Sequence, residues 1–174
     1  MVKSKLNLAK DIILTIAMTG GVLLVAFAAP GILQAFAPLT KKYSRRAFHP
    51  SYMKRRLNSL KTQGLIRMNN KEDGVQISLT QTGQQRVLEY SINDLKIKKQ
   101  SPWDGKWRYL FFDIPEKRRG ARNAFRSKIK ELGFERIQQS VWRHKYPCRK
   151  EVELLTDFYR IDRYVSLVEG GALA

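Results

Sequence analysis

Cysteine occurs once in these 174 residues, at Cys148. One thiol excludes an intrachain disulfide and fits a reducing, cytoplasmic setting. Histidine occurs twice, at His49 and His144. With a single cysteine, that is too few ligands for a Cys/His zinc site. His144 and Cys148 stand four apart, an incidental spacing, and no motif supports a Ser-His-Asp or Cys-His catalytic set. Acids are scarce as well: 15 Asp plus Glu stand against 33 Lys plus Arg, a formal net charge of +18. Such an excess repels itself and attracts polyanions, nucleic acid first and an anionic membrane surface second. Internal repeats and low-complexity tracts are also absent.

Charge is missing altogether from residues 12–39. That length could span a bilayer as a helix, but both flanks are basic. Lys3, Lys5 and Lys10 precede the run, and Lys41, Lys42, Arg45 and Arg46 follow it, so orientation is not set. Ala26, Ala28 and Ala29 are small enough for a leader cleavage site, without a convincing pattern around them. Gly20-Gly21 and Pro30-Gly31 interrupt the run. The reading adopted is a buried first helix over about 6–28 and a short second helix over 31–37, with a membrane anchor and a cleaved leader as alternatives.

Residues 50–90 carry a helix, a hairpin and a further helix. Pro50 opens the first, with Ser51 in its first turn. Met53, Leu57 and Leu60 recur at helical spacing, while Lys54, Arg55, Arg56, Asn58 and Lys61 occupy the other faces. Gly64 is placed to end it. Residues 65–68 read as a strand, 69–74 as a polar turn, and 75–79 as a strand of strict alternation. A helix over about 83–94 follows. Helix, helix, basic helix, hairpin and helix is the order of a winged helix-turn-helix, whose third helix enters the major groove while the wing touches the backbone. Arg55 and Lys54 suit phosphates or guanine edges, Asn58 suits adenine, and Arg45 and Arg46 suit phosphates. Ser51 and Lys61 share that helix, and Asn69, Asn70 and Lys71 fall at the expected wing tip. The plain structural reading of each residue is a solvated surface helix.

A basic break over 96–102, KIKKQSP, separates this region (1–95) from a second domain (103–174). Trp103 and Trp107 bracket the turn signal Asp104-Gly105. Thereafter the pattern is a strand over 107–114, a helix over 115–132, strands over 134–138 and 140–145, a helix over 149–158 and a strand over 164–168. This βαββαβ order is ferredoxin-like. Ala121, Phe125, Ile129 and Leu132 make the core face of the first helix, beside a basic stripe of Arg119, Arg122, Arg126 and Lys130. The fold class expected is therefore α+β, a winged helix-turn-helix followed by a ferredoxin-like domain.

The segment WDGKWRYLFFDIPEKRRGARNAFRSKIKELGF, then ERIQQSVW, resembles the central domain of the PaaX family of phenylacetate-pathway repressors. That domain is in turn similar to small CRISPR-associated spacer-acquisition nuclease subunits. FFDIPEKRR at the strand end, ELGFERIQQSVW after the helix and the return strand YVSLVEG carry the likeness, over about 103–170. It implies a DNA-binding transcriptional repressor, a homodimer on double-stranded DNA, that needs no cofactor. PaaX-like repressors continue with a further carboxy-terminal region, so acyl-CoA sensing is not carried over to these residues.

The nuclease-like relatives hold a divalent metal on an aspartate at the end of the first strand, at a dimer interface. By position, Asp113 matches it. The resemblance thus implies an alternative, a Mg²⁺-dependent endonuclease with Asp113 as metal ligand and catalytic group. Arg118 and Arg119 would then hold the phosphate backbone, joined by Arg122 and Arg126. A membrane-tethered nucleic-acid-binding protein is a further alternative. The competing reading of Asp113 is a helix cap, with Glu116 three residues on and Pro115 in the first turn. No second acid lies close to it on the strand.

Overall fold

The computed structural model describes residues 7–27 and 30–171. The chain divides into two compact units, Met1–Ser91 and Ile92–Ala174. Each mixes helices with an antiparallel sheet, so the class is α+β.

In the first unit, α1 (Leu8–Met18) starts at Asn7, whose side-chain oxygen accepts the Lys10 N–H at 3.1 Å. It buries Leu8, Ile12, Ile13 and Ile16. Gly20 and Gly21 then take φ values of 77° and 84°, a region that a Cβ disfavours. They reverse the chain into β1 (Val22–Val25), antiparallel to β3 (Gly74–Leu79). The helix expected over 6–28 is therefore a helix, a two-glycine turn and a strand. Exposed Val22 and Leu24 alternate with half-buried Leu23 and buried Val25, the period of a strand rather than a helix. Two short helices, α2 (Gly31–Ala35) and α3 (Ala37–Thr40), follow. No helix among the described residues is long and apolar enough to cross a membrane. Lys3, Lys5, Leu6, Ala28 and Ala29, which entered the readings of this segment, lie outside the described residues.

A 3₁₀ turn (Arg45–Phe48) leads into α4 (Pro50–Thr62), which buries Met53, Leu57 and Leu60. Gly64, at φ 69°, ends it. β2 (Ile66–Lys71) and β3 form a hairpin, and the sheet order is β1-β3-β2. The polar turn expected over 69–74 is shorter. Asn69 pairs with Gln76, Asn70 with Val75 and Lys71 with Gly74, leaving Glu72 and Asp73 as the tip. Ladder hydrogen bonds here outweigh the turn preference of asparagine. Thr80 then caps α5 (Gln81–Asn93): its hydroxyl accepts the Gly83 N–H at 3.0 Å and donates to the Gly64 carbonyl at 2.5 Å.

The second unit contains β4 (Trp107–Phe112), α6 (Arg119–Glu131), β5 (Glu135–Gln138), β6 (Val141–His144), α7 (Arg149–Tyr159) and β7 (Val165–Gly170). Its four-stranded antiparallel sheet has the order β5-β6-β4-β7, the ferredoxin-like arrangement. The helix expected from residue 115 begins at Arg119, because Glu116–Arg118 tighten into a 3₁₀ turn first. Leu110, Phe112 and Trp142 on one face of the sheet share a core with Phe125 and Ile129 of α6 and Val152 and Leu155 of α7. Leu132 is also buried and Ala121 packs against this core. Phe111 and Val168 stand exposed on the opposite face.

A clasp precedes β4. Arg108 is only 3% exposed. Its Nη1 donates to Asp104 Oδ1 at 2.9 Å and to the Lys106 and Lys145 carbonyls, and its Nη2 pairs with Asp104 Oδ2. These hydrogen bonds hold the Asp104 carboxyl down to about 2. The Trp103 indole donates to the same two carbonyls, at 3.0 and 2.9 Å. Burial pushes the Cys148 thiol up to about 12, so it is protonated and inert at neutral pH.

Burial also lowers the His144 pKa, with the nearby Arg108 charge acting in the same direction and the backbone of Tyr146 opposing both. The folded chain therefore favours the neutral ring. Its contribution to stability is fully present above the unfolded value of about 6.5 and is lost as pH falls below it. Urea midpoints followed from about pH 7 to 5 are expected to fall more steeply in the wild type than in His144→Phe. Parallel slopes would remove this histidine from the acid response. Two glycines make a second test. An ideal Cβ at Gly120 in α6 meets nothing within 4 Å, whereas at Gly83 it lies 2.0 Å from the Leu65 carbonyl oxygen. Gly120→Ala should stabilise by about 0.5–1 kcal/mol through helix propensity. Gly83→Ala should destabilise by about 1–3 kcal/mol through overpacking. Thermal unfolding of the pair checks both signs.

Candidate nucleic-acid interface

Apolar positions fix the rotation of α4. With Met53 and Leu57 at 0% exposure and Leu60 at 1%, the residues at intermediate spacing must face outward. Ser51, Lys54, Arg55, Asn58 and Lys61 are all exposed. Lys54, Asn58 and Lys61, at i, i+4 and i+7, line one edge of the helix. Together with Phe27 and with Met68, Asn70 and Val75 of the hairpin they surround an open cleft of about 510 Å³. Arg55 and Arg56 are steadied by Tyr52: their guanidinium carbons lie 5.5 and 5.2 Å from its ring centroid. Arg56 also donates to the Tyr52 hydroxyl, at 2.9 Å from Nη2.

Arg45 and Arg46 lie in the 3₁₀ turn just before α4, and both are exposed. On β2, alternation places Met68 and Asn70 toward the α4 cleft and Arg67, Asn69 and Lys71 on the other face. The structure therefore brings Lys54, Asn58, Lys61 and Asn70 together, while Asn69 and Lys71 face away from that cleft. The tip is acidic, at Glu72 and Asp73. Arg67 was not singled out from sequence. The period-two spacing of residues 67, 69 and 71 is the signal that finds it.

In the second unit, several arginines have partners within the fold. Arg122 pairs with Glu116 at 2.6 Å and is half-buried. Arg126 donates to the Gln139 carbonyl at 3.3 Å and lies 5.5 Å from the Phe112 ring centroid. Arg118 donates to the Arg160 carbonyl at 2.8 Å. Arg119 makes an exposed contact of 3.7 Å with Glu116, an interaction of little energetic weight. The Arg119 side chain is 72% exposed.

Asp113 follows β4. Its backbone N–H donates to the Tyr164 carbonyl at 3.0 Å. The side chain is exposed beside an open pocket of about 500 Å³ that includes Ser140, Arg163 and Ser166. It caps no helix: Pro115 and Arg118 occupy the cap positions of the 3₁₀ turn and of α6, and neither has a side-chain cap bond. The capping expectation is thus corrected, because Glu116 turns to Arg119 and Arg122 instead. Among the described residues no three His, Cys, Asp or Glu side chains gather into a metal-binding group. Among the residues that line this pocket Asp113 is the one carboxylate, so a Mg²⁺ site here would draw further carboxylate ligands from a second copy.

Residues 100–174 match the family model of the PaaX protein central Cas2-like domain. The matched segment is that of the ferredoxin-like sheet, and the second unit is a PaaX-type, Cas2-like domain. No curated protein matches the chain.

Proposed function

We propose that this chain is a dimeric, DNA-binding transcriptional repressor of the PaaX type. In this reading the first unit is a winged helix-turn-helix, with α4 in the major groove and the β2–β3 hairpin along the backbone. The observation that carries it is the outward face of α4. Polar and cationic side chains run along it from Ser51 to Lys61, while Met53, Leu57 and Leu60 anchor the other side. The order α1-β1-α2-α3-α4-β2-β3, with β1 added beside the hairpin, supports the same reading. A net charge of +18 supplies sequence-independent attraction to phosphate. The PaaX-type domain supports the regulatory role and the pairing of two copies, which would match a two-fold operator.

Roles divide by chemistry. Arg55 and Asn58 stand where a groove-bound helix would offer them to base edges, and Arg45, Arg46, Arg67 and Lys71 suit phosphates. Arg55→Ala and Asn58→Ala should each cost about 1–3 kcal/mol on the preferred site and relax preference at one position. Lys71→Ala should weaken all duplexes alike and lower the salt slope by about 1. Binding measured on preferred and scrambled duplexes across a salt series separates these outcomes. Equal losses on every sequence for all three variants would remove α4 as the reading element.

A further inference from the structure

A cavity of about 890 Å³ opens at the start of α4. Its apolar wall is built from Ile32 and Leu33 of α2, Phe48 of the 3₁₀ turn and Pro50. Ile32 and Phe48 are 1% and 4% exposed, so these side chains are fixed in the core behind the wall. Arg45, Arg46 and Arg55 stand among its lining residues, and no Asp or Glu does. Among the described residues the Arg45 and Arg46 side chains have no hydrogen bond or ion pair, and the Tyr52 ring is the contact of the Arg55 guanidinium. The cavity therefore combines an apolar body with cationic groups that the fold does not neutralise.

That combination selects its occupant. A phosphate backbone would satisfy the arginines but brings nothing apolar to the wall. A second copy meeting this face across a two-fold axis would set arginines against arginines. An uncharged apolar molecule would leave the arginines without a counter-charge. The volume is that of a small-molecule site, and a guanidinium takes a carboxylate through two parallel hydrogen bonds. We propose that this cavity binds a free amphipathic carboxylate, one apolar chain ending in a single negative charge. Bound there, the carboxylate occupies the arginines of the lining, Arg45, Arg46 and Arg55, and lowers DNA affinity. This second step rests on the DNA-binding reading above; the binding step does not.

The test uses the full chain, with decanoate as probe below its micellar concentration. Calorimetry should show one saturable decanoate per chain, with decanol and inorganic phosphate each at least about 10-fold weaker. Leu33→Gln alters the apolar wall at a partly exposed position and keeps every arginine. It should weaken decanoate by about 10-fold while thermal unfolding and DNA affinity stay as in the wild type. Arg45→Gln combined with Arg46→Gln should weaken decanoate and leave decanol unchanged. Phosphate binding as tightly as decanoate would reduce the site to a plain anion contact and overturn the proposal. Decanol binding as tightly would overturn the role of charge, and an unaffected Leu33→Gln would place the ligand elsewhere. Sedimentation with phosphatidylglycerol vesicles at lower lipid concentrations than free decanoate requires would transfer the site to a bilayer and overturn the free-ligand assignment. Saturating decanoate that leaves DNA affinity unchanged would overturn the competition. A wild-type chain that binds no DNA would sink the repressor reading while the calorimetric result stood.

Discussion

Burial of Met53, Leu57 and Leu60 is the constraint on which the candidate interface depends. A helix has one rotational freedom about its axis, and three side chains at 0–1% exposure remove it. The remaining positions are then assigned without further choice: Lys54, Asn58 and Lys61 beside the hairpin, Ser51 and Arg55 toward the 3₁₀ turn. The glycine turn at residues 20–21 contributes indirectly. It sends β1 back against β3, and that third strand widens the sheet on which the core of this unit is built. Two strands alone give marginal stability in water.

The cations of the chain fall into two groups. Some are fastened by the fold, as Arg108 is by Asp104 and Arg122 by Glu116. Lys128 belongs with them: it is 6% exposed, donates to the Asn93 carbonyl at 3.2 Å and pairs with Glu131 at 3.1 Å. Truncating the partner of a buried cation leaves a desolvated charge, so these contacts bear on stability. Others, such as Arg45, Arg46, Lys54 and Lys61, face water from the first unit. Those are the charges available to a polyanion. A count of +18 does not separate the two groups; the contacts do.

Much of this was legible in the sequence. The βαββαβ order of the second unit, its core residues Phe125 and Ile129, and the span of α4 follow from periodicity, Pro50 and the glycines. β1 was hidden because Val22–Val25 continues an apolar run that has no charge to mark its period. The hairpin tip was displaced because Asn69 and Asn70 favour turns locally, whereas pairing with Gln76 and Val75 is a tertiary fact. Likewise, the engagement of Arg122 and Arg126 depends on Glu116 and on the Gln139 carbonyl, which the chain brings near only once it is folded. The cavity before α4 joins residues from 32 to 55 and left no motif.

The central claim is that this chain reads a DNA sequence. The most direct measurement is a selection from sheared genomic DNA at an ionic strength of about 0.15 M, with the bound fragments sequenced. The account predicts enrichment of a palindrome or of two half-sites about one helical turn apart. Even recovery of all fragments would leave only the phosphate attraction of a strongly basic chain and would contradict it.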